Sequence, residues 1–230
     1  MSILIEITQI GLYLLYILLP LLALYIAYLI ITKAFKNMGF SSIEAIIIVF
    51  VSFLFGFNII IFGFNISNIY LFSYQNWVVG INTGGAIIPI ALSIYLTLKK
   101  KLDFKKILAG ILIVTIITFF VTRPVPGEGI VSYFPYWLLP AVFASLISVF
   151  LSWKNFNKAA PLAYISGTIG VLLGADFLHL SELLSYPIET TAYAVIGGAN
   201  VFDMVFITGI LAVIVDGLLM YRQKSKESTS

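Results

Sequence analysis

The sequence predicts an all-α integral membrane protein of seven transmembrane helices, and three observations point to it. Hydrophobic residues make up 61% of the 230-residue chain and charged residues only 10%, where a soluble domain carries roughly 25% charged residues. Mean hydropathy is +1.08. Apolar runs suited to helices of ~20 residues recur at about 3–31, 43–63, 77–98, 107–122, 136–152, 161–180 and 191–219. With the spans drawn so, twelve of the thirteen basic residues fall on one side: Lys33/Lys36, Lys99/Lys100/Lys101/Lys105/Lys106, Lys154/Lys158, and Arg222, Lys224 and Lys226 of the tail. Only Arg123 lies on the other. The positive-inside rule then places the N-terminus out and the C-terminus in, in a multi-pass cytoplasmic (plasma) membrane protein.

The same composition narrows the function. The chain has no Cys, which excludes disulfides, thiolate metal sites and thiol nucleophiles. The basic residues read as topology signals beside anionic lipid and call for no nucleic-acid partner. The first apolar run is too long for a signal-peptide core and lacks a small-residue cleavage site, so it reads as a retained span.

Span one contains Pro20, which membrane helices tolerate with a kink. Ser41 and Glu44 form a capping-box pattern at the start of span two. An uncharged outer connection, 65–76, leads to Trp77, placed as an interface anchor. Span three contains Asn82-Thr83-Gly84-Gly85-Ala86-Ile87-Ile88-Pro89, whose glycines, proline and polar side chains predict a broken helix. Such backbone is tolerated only where protein buries it or a wet cavity receives it. Close helix packing through small residues explains the same stretch. Span four ends in Arg123-Pro124-Val125-Pro126-Gly127-Glu128-Gly129, a rigid outer loop in which Arg123 is solvated, pairs with Glu128 or reaches an outer carboxylate. Span five opens at Tyr136. Span six starts with Pro161 in its first turn and ends at Asp176 and His179. Span seven carries the Gly197-Gly198 break, Asp203 and Asp216, the last assigned to the inner interface beside Arg222 and given no role.

The two halves of the chain match in order. Tyr-Ile-Leu-Leu-Pro at 16–20 matches Tyr-Trp-Leu-Leu-Pro at 136–140, Gly56-Phe57-Asn58 matches Gly174-Ala175-Asp176, and Gly84-Gly85-Ala86 matches Gly197-Gly198-Ala199. The offsets are 120, 118 and 113 residues. Spans one to three and five to seven then form parallel repeats joined by span four. The expected organisation is a single transmembrane domain over 1–222 (repeat one 1–98, linker span 99–135, repeat two 136–222) and a polar cytoplasmic tail, 223–230. Interrupted spans at corresponding places point to a transporter's central site. In layout alone, this three-one-three arrangement resembles the small sugar transporters called SWEETs.

Asn58 of the first half is Asp176 in the second, and Asp203 has no charged counterpart, so only one half carries intramembrane acids. A carboxylate in a membrane helix costs roughly 2.5–3.5 kcal/mol on insertion scales and usually faces a cavity or partner. Several readings stay open. Asp176 and Asp203 form an outward-side site for a small solute, a cation or a proton, with Asn58, Asn82, Thr83, Gly84, Gly85, Gly197 and Gly198 around it. Alternatively, the two aspartates share a proton and activate water, as aspartic dyads do. The stretch Gly197-Gly198-Ala199-Asn200-Val201-Phe202-Asp203 has a distant similarity to presenilin-type aspartyl proteases. It departs from them in Phe202 before the aspartate, in lacking Tyr beside Asp176 and in having no Pro-Ala-Leu motif. Asp176, His179 and Glu182 share a helix face and could hold zinc, although a lone His reads better as a solvated interface residue. Last, the acids serve only structure by hydrogen-bonding neighbouring helices.

Further motifs are Asn82-x-Gly84-Gly85-Ala86-x-x-Pro89, Pro124-Val125-Pro126-Gly127-x-Gly129, Ala160-Pro161-Leu162-Ala163-Tyr164-x-Ser166-Gly167, Gly174-Ala175-Asp176 and Ile196-Gly197-Gly198-Ala199-x-x-Phe202-Asp203-x-x-Phe206-x-Thr208-Gly209-Ile210. Through them the chain resembles, over about residues 80–212, a prokaryotic multi-pass membrane family that is a domain of unknown function. The resemblance implies the span count and the choice of Asp176 and Asp203, and no activity. The expected partners are the lipid bilayer, a small solute or cation, and a second copy of the chain; no cofactor or metal is expected.

Overall fold

The computed structural model describes residues 2–153, 155–198 and 204–227. It is mostly helical. Three helical segments are long and apolar enough to cross a membrane: Leu15–Met38, Phe104–Val121 and Ala159–Ser185. The other apolar helices are shorter, at Ser42–Leu54, Tyr136–Leu151 and Ile207–Gly217.

Helix α1 (Ser2–Met38) continues through Pro20, and α2 (Ser42–Leu54) begins at the expected capping box. Ser41 Oγ accepts from Glu44 N, and the Glu44 carboxylate accepts from Ser41 N. Helices α3 (Ile88–Lys100) and α4 (Phe104–Val121) follow, then α5 (Leu139–Leu151) and α6 (Ala159–Val171). A π-helical turn, Leu172–Phe177, joins α6 to α7 (Leu178–Ser185), and α8 spans Met204–Glu227.

Twelve of the thirteen residues of α6 are buried, and α6 packs against α4, α5, α8 and α3. A helix that is apolar all round belongs at the centre of a bundle. Small residues let α4 come close to it: a Cβ on Gly170 would lie 2.6 Å from Val114 Cβ, and one on Gly174 would lie 2.7 Å from Thr118 Cβ. By contrast, α1 packs through Ala34, Phe35 and Met38 near its C-terminus, while Leu15 to Ile30 stand exposed, as lipid-facing side chains would.

One end of the bundle collects the lysines. Lys99 Nζ donates to Gly39 O at 3.4 Å, Lys158 Nζ to Lys101 O at 2.7 Å and Lys106 Nζ to Leu151 O at 2.5 Å. The connections after α1, α3 and α5 therefore meet there.

The opposite end carries strands, which corrects the all-α expectation. Span two stops at Leu54, and β1 (Ile60–Ile61) turns back into β2 (Phe64–Asn65) through Phe62 and Gly63 at φ +50° and +83°. The expected outer connection is largely β3 (Asn68–Tyr74), and the first part of span three is β4 (Trp77–Asn82). Span seven begins as β7 (Ala192–Ile196). These form one sheet in the order β3-β4-β7, with β3 antiparallel and β7 parallel to the central β4. The Pro/Gly loop after α4 is a hairpin of β5 (Arg123–Val125) and β6 (Gly129–Val131). Periodicity cannot separate a short buried strand from a helical turn, and these runs are rich in Ile, Val, Tyr and Phe.

Two matched prolines occupy different settings. Pro20 lies mid-helix in α1, whereas Pro140 occupies the first turn of α5.

Candidate functional site

The site forms beneath the sheet, where two chain segments change from strand to helix. After β4, Asn82 caps a π-helical turn, Thr83–Ile87, that leads into α3: its Oδ1 accepts from Gly85 N at 2.7 Å. After β7, Gly197 and Gly198 take φ +82° and +68°, a region that Gly enters without steric cost. The expected Gly-Gly break is therefore real, although it separates a strand from a helix rather than two helical halves.

The two glycine turns touch backbone to backbone. A Cβ on Gly85 would overlap the Gly197 carbonyl oxygen, and a Cβ on Gly197 would lie 2.6 Å from Ala86 Cβ. Gly84 is equally constrained, since its Cβ would overlap the Ser52 carbonyl at the end of α2. Asp176, half-buried in the second π-turn, accepts a hydrogen bond from Gly197 N through Oδ2 at 2.6 Å. Both π-turns of the described chain thus carry a predicted site motif and meet at Gly197. Single π turns frequently mark functional sites.

An amide ladder extends the site from Asp176. Asn82, only 2% exposed, donates through Nδ2 to Asn68 Oδ1 at 2.8 Å and to Phe55 O at 3.3 Å. Asn68 Nδ2 and Asn65 Nδ2 donate in turn to Asn58 Oδ1 at 3.1 and 3.3 Å. Thr83 Oγ1 donates to Ile66 O at 2.6 Å. Asn58 itself is exposed and ties the β1–β2 hairpin to β3. Thus Asn58, Asn82, Thr83, Gly84, Gly85, Asp176, Gly197 and Gly198 form one connected region. Asp203, with Ala199 to Phe202, lies outside the described residues.

Three expectations need correction. Trp77 is no interface anchor: it is 4% exposed, and its Nε1 donates to Tyr186 O at 3.2 Å. Arg123 keeps the solvated alternative: it is exposed, pairs with no described carboxylate, and its guanidinium lies 4.8 Å from the Tyr133 ring centre. His179 is buried rather than solvated, stacked 4.5 Å from Phe119 with Nε2 at 3.2 Å from Phe119 O. Its Nδ1 lies 3.6 Å from Glu182 Oε2, too long for a hydrogen bond. Among the described residues no three His, Asp or Glu side chains come together as metal ligands. Finally, Asp216 is fully buried between helices instead of lying at the interface.

Sequence reasoning missed Asn65, Asn68 and the Asp216–Ser148 pair. The run Asn68-Ile-Tyr-Leu-Phe-Ser-Tyr74, bounded by Gln75-Asn76, was the available strand signal for the first two.

These features define the class: a mostly helical protein with three described helices long and apolar enough to cross a membrane, whose polar region sits where interrupted segments meet under a small sheet. The chain belongs to the family described as "Protein of unknown function (DUF1614)", whose model matches residues 58–215 and so contains the described region from Asn58 to Gly198. No curated protein and no solved structure matches it.

Proposed function

We propose that this protein is a small multi-pass transporter, or a cation- or proton-binding protein, of the cytoplasmic membrane. Its outward-side site is centred on Asp176 and completed by Asp203. The observation that carries this reading is the Asp176–Gly197 hydrogen bond, which sets a carboxylate at the junction of two interrupted segments. Transporter sites are characteristically built from such discontinuous helices. Parallel β4 and β7, each leading through a Gly-Gly turn into a helix, support the repeat at its third element. The clustered lysines support an inward lysine end, hence N-out/C-in with seven crossings. A homodimer would cover part of the exposed length of α1.

The test uses the full chain in lipid nanodiscs. Asp176→Asn keeps an oxygen acceptor for Gly197 N–H while removing the charge, so it separates binding from scaffolding. The expected result is thermal stabilisation of the wild type by Na⁺, K⁺ or a change in pH, lost in Asp176→Asn. At a hundredfold excess over Kd, ligand stabilises by ~2.7 kcal/mol. Absence of any such response, or its survival in Asp176→Asn, contradicts the proposal. Cleavage of a transmembrane peptide that disappears in Asp203→Asn would instead identify an aspartyl protease.

A further inference from the structure

Asp216 of α8 is fully buried, and it belongs to no part of the site under the sheet. Its Oδ1 lies 3.1 Å from Ser148 Oγ of α5, whose one hydroxyl hydrogen also faces Ser145 O at 2.7 Å, while Oδ2 has no partner among the described residues. Ser148 and Ser145 are themselves fully buried, and Ser145 Oγ is also unpartnered.

Among the residues whose side chains are described, no cation faces this carboxyl group. Helix α8 packs against α6, α5, α1 and the Thr83–Ile87 turn. Of these, α5 and the turn contain no ionisable side chain, and α6 offers only the Tyr164 phenol. On the neighbouring part of α1, Lys33 and Lys36 are exposed, and the side chain beside Gly217 is the neutral Asn37. The cations of α8 itself, Arg222, Lys224 and Lys226, begin six residues further on, ~9 Å along the axis. Among the described residues the single ion pair is His179–Glu182, at the other end of the bundle.

A buried carboxylate with one hydroxyl donor and no counter-charge is costly, and such a group neutralises instead. We infer that Asp216 carries a proton in this conformation and is a site of proton uptake and release between α5 and α8. On release the carboxyl O–H bond breaks, the electron pair stays on the carboxylate, and the proton passes to water. The coupling of this step to transport rests on the proposed function, but the protonation of Asp216 does not.

Infrared spectroscopy of the full chain in nanodiscs reads the proton directly. A protonated carboxyl gives a carbonyl stretch distinct from the carboxylate bands. The expected result at pH 7 is such a band, lost in Asp216→Asn and retained in Asp176→Asn. Ser148→Ala should move it to higher frequency, because the carboxyl group loses its hydrogen-bond partner, and this assigns the band even if Asp216→Asn fails to fold. Absence of the band from the wild type between pH 6 and 8, or its persistence unchanged in Asp216→Asn and Ser148→Ala, overturns the inference. Loss of the ion response in Asp176→Asn with the Asp216 band intact shows the two sites to be separate.

Discussion

Gly85→Ala and Gly197→Ala should each prevent correct assembly of the sheet end. At Gly85 the new methyl group meets the Gly197 carbonyl oxygen. At Gly197 it meets Ala86 Cβ at 2.6 Å, Ala86 N at 2.7 Å and the Gly85 carbonyl carbon at 2.8 Å. These obstacles are backbone atoms or a Cβ, which cannot rotate away as the end of a long side chain can. Overpacking of this kind costs about 1–3 kcal/mol. Gly197→Ala also places a Cβ at φ +82°, for a further ~1–2 kcal/mol. The sum, about 2–5 kcal/mol for Gly197→Ala, is a large share of the 5–15 kcal/mol that typically separates folded from unfolded domains. Thermal unfolding in nanodiscs measures it, with Leu22→Ala on the exposed part of α1 as a near-neutral control. If both glycine variants unfold within a degree of the wild type, the two turns do not touch.

Asn82→Ala should be nearly as damaging. It removes the acceptor for Gly85 N–H, the donor to Phe55 O and the bond to Asn68 in one step. A lost N-cap costs typically ~1 kcal/mol, and each buried group left unpaired costs about 1–3 kcal/mol. Asn82→Asp distinguishes the amide's two ends. Its carboxylate still caps Gly85 N–H, but it turns a second oxygen toward Asn68 Oδ1 and Phe55 O, where Asn82 places a donor. Full rescue by Asp would show that the Nδ2 contacts contribute little. Continued destabilisation, with the β3–β4 amides exchanging faster than in the wild type, is the expected result.

Much of this arrangement was legible before any coordinates. Small-residue and proline breaks marked both turns, because glycines in an otherwise apolar helical run carry a cost that only close backbone approach repays. Lysine placement marked one end of the bundle, since each loop charge must stay in water. The sheet was not legible, because runs such as Trp77-Val-Val-Gly-Ile-Asn82 satisfy an apolar helix and a buried strand equally. The pairing partner that decides between them, β7, lies more than a hundred residues away in sequence. Asp216 was misplaced for a similar reason. Its nearness to Arg222 along the chain suggested an interface, whereas α5 and α6 close over it in space. Tertiary packing decided both cases.

Whether Asp176 and Asp203 form one site is tested most directly by cross-linking. The chain has no native cysteine, so the double variant Asp176→Cys/Asp203→Cys can be oxidised in membranes without background. A disulfide requires Cα atoms about 4.4–6.8 Å apart, and a short bis-thiol reagent extends that reach slightly. Efficient bridging is the predicted result and joins both acids in the site beside Gly197. No bridging, with each single cysteine variant accessible to a thiol label, would separate the two aspartates and contradict a shared acidic site.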